Sequence, residues 1–255
     1  MSGNAPAATE LRLRALRGVP LVQPGDDLAS LLATAAREMR IVLSRGVLVV
    51  CQKVVSKAEG RVVTLSSVTP GDAARRLALE DGKDPRALEV ILRETARIVR
   101  RGPGVLICET HHGFVCANAG VDLSNAPGED VAVLLPEDPD ASAQRLRAAL
   151  RVPGMAPPAV IVSDTFGRPF REGLVDVALG SAGLVPIDDL RGGKDLGGRT
   201  LQVTAMATAD QLATAAGLLM VKDAGVPAVW IEGIEASGDG TARALLRDRE
   251  RDLFR

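Results

Sequence analysis

A carboxylate that holds a metal ion against phosphate oxygens needs room around it, and small residues at the end of an apolar run supply that room. The stretch VCANAGVDLSN, residues 115–125, has this character. An apolar stub runs into Ala117-Asn118-Ala119-Gly120; one acid, Asp122, follows, and Asn125 lies three residues further on. Asp122 offers the hard anionic oxygen that magnesium and manganese prefer, and Asn125 adds an amide. An Asx-type turn, with Asp122 capping its own loop, accounts for the same residues without any ligand.

Three more stretches gather polar residues at the ends of apolar runs, where α/β folds place their ligands. In QKVVSKAEGR (52–61), Lys53 and Lys57 are four apart, with Gln52, Ser56 and Arg61 nearby. Two ammonium groups beside small polar donors suit a polyphosphate, and the same pattern suits a solvated surface. In SDTFGRPFREG (163–173), Asp164 ends an apolar run with Thr165 beside it. Arg168 and Arg171 could grip an anionic substrate, or pair with Asp164 as structural ties. In MVKDAGVP (220–227), Lys222 follows an apolar helix face and Gly225 reads as a helix C-cap; a lysine there is also favoured by the helix dipole alone. Together the four stretches supply two acids from separate loops, several cations and glycine-rich approaches. That is the inventory of a two-metal phosphoryl-transfer site without a Walker loop. The chain has no Walker glycine motif, no nucleophile elbow and no zinc-ligand spacing. His111 and His112, its only histidines, fall at a predicted turn, where a solvent or hydrogen-bonding role comes ahead of a site role.

The elements that must position these residues are legible from periodicity. PGDDLASLLATAAREMR opens with a cap at Asp26 or Asp27 and continues at helical spacing. GVLVVCQ is a buried strand and GRVVTL a shorter one. Residues 69–101 read as two helices broken around Gly82 and Pro85, with Asp84 and Pro85 as cap and first helical residue. PGVLICE and GFVCAN read as a hairpin joined by Thr110–Gly113. A strand VAVLLP, a helix from PEDPDAS, and a strand AVIVSDT follow. LGGRTLQVTAM is expected as a strand, residues 208–225 as a helix capped by Thr208, and VPAVWIEGI as the closing strand. Helices, mixed sheets and hairpins together predict a mixed α/β (α+β) fold with two subdomains. Residues 1–10 are expected to be a loose tail, and 151–158, rich in Pro and Gly, a hinge within a domain spanning 11–255.

The chain has 255 residues and a formal net charge of −1, so there is no basic excess for a nucleic-acid backbone. Aromatics are 2 %, which removes base-stacking platforms as well. Three cysteines, an odd number inside apolar runs, point to buried reduced thiols and a cytoplasmic setting. No apolar run approaches the length of a membrane span.

The stretches GVPLVQPGDDL, QKVVSKAEGR, ETHHGFVCANAGVDLSN, SDTFGRPFREG and RDRERDLFR, in this order from about Gly18 to the C-terminus, resemble the coenzyme F-420-0:L-glutamate ligases. The resemblance implies a homodimeric ligase that adds L-glutamate to the deazaflavin precursor F-420-0 through an acyl phosphate, giving γ-glutamylated coenzyme F-420. It implies GTP as the nucleotide, manganese or magnesium at two sites, and potassium as a monovalent cation. Metal binding falls by resemblance to Asp122, Asp164 and Thr165, and Lys57 joins the two aspartates in catalysis. The nucleotide falls to Gly18, Val19, Pro20, Leu21, Gln52, Lys53, Lys57 and Asn125, together with Met220, Val221, Lys222 and Asp223 of the 220–227 loop. An aspartate or His112 is the candidate base. Two positions depart from the expected pattern. Lys222 stands where a metal-binding Gln is expected, so either one metal site is altered or the lysine's own charge replaces a cation. His111 stands where an Arg is expected. No nitroreductase-like C-terminal domain is expected. Two rival readings are a non-catalytic nucleotide- or deazaflavin-binding module, and a nucleotide-dependent ligase for another acid.

Overall fold

The structure is a computed structural model and describes residues 10–123, 130–152 and 155–253. Its strands are β1 (Arg12–Leu16), β2 (Gly46–Cys51), β3 (Val62–Thr64), β4 (Thr95–Gly102), β5 (Val105–Thr110), β6 (Val115–Ala117), β7 (Val131–Val133), β8 (Ala159–Arg168), β9 (Arg171–Ala182), β10 (Asp188–Asp189), β11 (Ala205–Met206) and β12 (Ala228–Glu232). The α-helices are α1 (Leu28–Glu38), α2 (Gln52–Ala58), α3 (Asp72–Asp81), α4 (Pro85–Arg93), α5 (Pro139–Ala149) and α6 (Thr208–Gly217).

The main sheet has the order β1-β12-β2-β8-β9, with β2 and β8 parallel and every other neighbouring pair antiparallel. Successive side chains of its central strands alternate between two cores. Leu48, Val50, Val160, Val162 and Trp230 bury against α1 and α5, whereas Val47, Val49, Ile161, Val229 and Ile231 bury against α6. Strands covered on both faces must be apolar throughout, which is why GVLVVC and AVWIE carry no alternation. A third core, with Leu65, Leu88, Ile91 and Leu106 at its centre, joins α3 and α4 to the β4-β5-β6 sheet and β3-β7 pair. This unit occupies residues 62–134, between α2 and α5. The mixed α/β architecture read from the sequence is therefore the one observed.

The caps at Asp27, Asp84 and Asp138 hold the first turns of α1, α4 and α5, each side chain accepting a backbone N–H. Several local readings need correction. Residues 95–102 form β4, an outer strand, and not the end of a helix: Thr95, Ile98 and Val99 are β-branched, and Gly102 to Gly104 turn the chain back onto β5. The expected 196–206 strand is reduced to Ala205–Met206, which pairs only with the two-residue β10, and the apolar Leu196 and Val203 are exposed. Helix α6 stops at Gly217, and Gly225 makes its left-handed turn in the loop beyond. Its cap position is Ala207; Thr208 is already helical. The helix α2, hidden in QKVVSKA, follows β2 without a break.

Within the stretch expected as a hinge, Val152 and Met155 are among the described residues. Met155 is buried in the α1–α5 core, bridges Leu43, and exchanges backbone hydrogen bonds with Val152. Pro153 and Gly154 lie outside the described residues, as does the expected tail up to residue 9. No helix among the described residues is long and apolar enough to cross a membrane.

Candidate functional site

One row of the main sheet decides where the site lies. Leu16 pairs Ala228, Ala228 pairs Val50, Val50 pairs Val162, and Val162 pairs Gly180. Immediately beyond this row, on the same edge, β1 releases residues 17–23, β2 runs into α2, β8 reaches Ser163-Asp164-Thr165, and the 220–227 loop enters β12. These are the carboxyl ends of the parallel strands, the position where open α/β sheets bind ligands. A cleft of about 780 Å³ occupies it.

Asp122 reaches this cleft from the second unit. The chain leaves β6 through three successive left-handed residues, Asn118 (φ 51°), Ala119 (φ 55°) and Gly120 (φ 71°). A side chain on Gly120 would come within 2.8 Å of Leu135, and Ala119 is buried in the third core. Small residues are thus required by a tight, covered turn, and that turn delivers Asp122 to the cleft wall, where its backbone bridges Val133. Its carboxylate meets Lys53 Nζ at 2.5 Å.

Helix α2 places Lys53 and Lys57 four residues apart on the cleft side. Burial, and next the neighbouring Lys53 charge, hold the Lys57 ammonium below its ordinary pKa, while Asp122 pulls the other way. Asp164 lies one residue beyond the end of β8's pairing with β2, partly open to the cleft yet densely surrounded by protein. That burial, reinforced by the Asp122 and Asp176 charges, pushes its carboxyl up to about 7. The backbone N–H of Thr165 and the Lys53 charge oppose the shift. Thr165 lies on the other face of the strand, and its hydroxyl donates to Asp176 Oδ1 at 2.7 Å.

Of the residues expected at a ligand, the structure brings Asp122, Asp164, Thr165, Lys53 and Lys57 into one cleft. Val19, Pro20 and Leu21 line it on one side, Met220, Val221 and Lys222 on another. Three others are not brought there. Gln52 is buried, its amide donating to Ser56 and to the carbonyl of Leu134 at 3.0 Å, so it ties α2 to the segment that leaves β7. Gly18 lies outside the lining and supplies a left-handed turn (φ 80°) ahead of it. Asp223 points to solvent. Asn125 lies outside the described residues. His112 also stays out of the cleft: its Nε2 meets the carbonyls of Pro136 and Glu137, and His111 meets that of Arg93.

Sequence reasoning passed over Asp176 and Ser163, which both line the cleft. Asp176 left one signal, a lone acid inside the apolar strand segment LVDVAL. Cys51 and Cys116 line the cleft as well. Burial, with the Asp164 charge next, pushes their thiols up to about 11 and about 12, so both are protonated at neutral pH. The anionic donors in the cleft are therefore oxygens, a set that suits magnesium or manganese and not softer metals. Among the described residues no three His, Cys, Asp or Glu side chains close on a single point. A hard cation here fits the usual pattern of one or two carboxylates completed by phosphate oxygens and water.

The profile of the family described as F420-0:Gamma-glutamyl ligase matches residues 18–233. A protein of Methanothermobacter thermautotrophicus named coenzyme F420:L-glutamate ligase is 46 % identical over 250 residues, covering 96 % of this chain and 99 % of the relative. Proteins of the same name from Methanopyrus kandleri and Haloarcula marismortui are 49 % and 41 % identical, over 93 % and 94 % of this chain and 96 % and 94 % of their own lengths.

Proposed function

This chain belongs to the F420-0:Gamma-glutamyl ligase family, and from that premise we propose that it joins L-glutamate to the deazaflavin precursor F-420-0 at the cost of GTP. The observation that carries the reading is the meeting of Asp122 and Asp164, from separate units of the fold, with Lys53 and Lys57 in one cleft. Amide formation from a carboxylate needs a leaving group in place of oxide, and a phosphoryl group provides it. An oxygen of the F-420-0 carboxylate attacks the terminal phosphorus of GTP, and the bond to the bridging oxygen of GDP breaks. The glutamate amine then attacks the acyl carbon, loses a proton, and phosphate leaves carrying the former carboxylate oxygen.

The obstacle is charge, because the attacking carboxylate and the triphosphate repel one another. Lys53 and Lys57 counter this with ammonium groups held four residues apart on a short helix. The ion pair with Asp122 fixes the Lys53 head at the cleft wall. Asp122 and Asp164, with Thr165 on the other face of β8, would hold divalent cations, which when bound offset the same repulsion and orient the phosphate oxygens.

Incubation with F-420-0, glutamate, GTP and manganese, followed by mass spectrometry, tests the reading. Products heavier by whole glutamyl units are expected, with heavy oxygen moving from labelled F-420-0 carboxylate into phosphate. Tight deazaflavin binding without product would leave a binding module, and no deazaflavin binding would leave a ligase for a different acid.

A further inference from the structure

Strand alternation splits the cleft acids between two faces of β8. Asp164 shares a face with Phe166, which packs on Phe114. Ser163 and Thr165 take the other face, toward α6. There Thr165 and Asp176 are directly opposed register partners of β8 and β9, so their side chains project together. The Asp176 backbone is pinned separately: its carbonyl accepts the Thr214 hydroxyl at 2.7 Å. Its carboxylate lies against Gly217, where any Cβ would come within 2.8 Å. The only residue type that leaves this space open closes α6 at this point.

A hydroxyl has one proton and two acceptor lone pairs. The Thr165 proton is committed to Asp176, so what its oxygen can present elsewhere is lone pairs alone. Two residues back on the same face, Ser163 is 1 % exposed, lines the cleft, and its Oγ has no hydrogen-bond partner among the described residues. A buried hydroxyl without a partner is costly, and a ligand in the cleft is what would satisfy it. We propose that Asp176 is a positioning residue: by taking the Thr165 proton it turns that oxygen into an obligate acceptor, presented together with the Ser163 hydroxyl to a divalent cation on this side of the cleft. Asp176 acts through Thr165 and does not itself touch the cation. The inference rests on the reading of the cleft as a cation site.

The test is Mn2+ binding to the purified protein without nucleotide, followed by the electron paramagnetic resonance signal of unbound Mn2+. Asp176→Ala should weaken Mn2+ binding by about tenfold to a hundredfold, the range for groups that orient a metal ligand. Thr165→Val should weaken it comparably, and Thr165→Ser, which keeps the hydroxyl, should restore it. The decisive comparison is the double variant. Added to Thr165→Val, Asp176→Ala should cost no further affinity, because the oxygen it orients is already gone. Additive losses would mean that Asp176 acts elsewhere, and an Asp176→Ala protein binding Mn2+ like the parent would overturn the proposal. If the parent protein binds no Mn2+, the cation reading of the cleft itself fails, and the proposal with it. Thermal unfolding of each variant separates lost affinity from lost fold.

Discussion

Replacing Asp164 by Asn should make the metal-free protein more stable, by an amount that depends on pH. In the unfolded chain this carboxyl titrates near 3.8, whereas in the folded protein burial, aided by Asp122 and Asp176, pushes it to about 7. The folded state therefore holds a proton that the unfolded state has already lost, so stability falls as pH rises from about 4 to about 7 and levels off above. A difference of about 3 units at about 1.4 kcal/mol each places the full penalty near 4 kcal/mol. At pH 8.5 all of it is present; at pH 5.5 about 2 kcal/mol remains, because the folded carboxyl is by then largely protonated. Asn keeps the size of the side chain and an acceptor for the Thr165 N–H, and it removes the charge. The variant should gain about 4 kcal/mol at pH 8.5 and about half that at pH 5.5, or roughly 10 °C in melting temperature at the higher pH. Trp230, the single tryptophan, is completely buried, so denaturant titrations in EDTA can be followed by its fluorescence. A variant no more stable than the parent at pH 8.5, or a gain independent of pH, would refute the electrostatic account of the cleft.

Gly120→Ala should lose about 2–4 kcal/mol, since it combines a left-handed backbone with a Cβ 2.8 Å from a buried leucine; an unchanged melting temperature would contradict the covered-turn argument. The thiols of Cys51 and Cys116 should react slowly with an aromatic disulfide reagent at pH 8 and rapidly once denaturant unfolds the chain, whereas a fast native phase would mean that one of them is exposed as thiolate. Asp140 accepts backbone N–H groups from Ser181 at 2.8 Å and Ala242 at 2.7 Å, joining α5, β9 and the C-terminal segment. Asp140→Ala should destabilise by about 2–3 kcal/mol and speed proteolytic cleavage after residue 235, and equal cleavage rates would count against that tie.

The elements that position the site were legible where a single rule governed them. Doubly buried strands such as GVLVVC cannot be anything but apolar, and Asp27, Asp84 and Asp138 mark helix starts because each satisfies an orphan N–H. Legibility failed where tertiary partners decided. TARIVRRG is short and charged, and becomes a strand because β5 lies alongside it. LGGRTLQVTAM has strand-like composition but finds only the two-residue β10 to pair with. At the site, the local motifs around Asp122, Lys53 and Asp164 could be found one at a time. Their convergence depended on the strand order β1-β12-β2-β8-β9, which no local pattern carries. Asp176 escaped for the same reason: its meaning comes from facing Thr165 across a hairpin. Gln52 erred in the opposite direction, a polar residue beside two functional lysines that turns inward to hold Leu134.

The central claim is that Asp122 and Asp164 act together on one cation-dependent phosphoryl transfer. Glutamate-dependent GTP turnover, measured in manganese for the parent, Asp122→Ala and Asp164→Ala proteins with matched circular dichroism, tests it most directly. Turnover should vanish in both variants while their folded spectra persist. Near-parental turnover in a folded Asp164→Ala protein would contradict the claim.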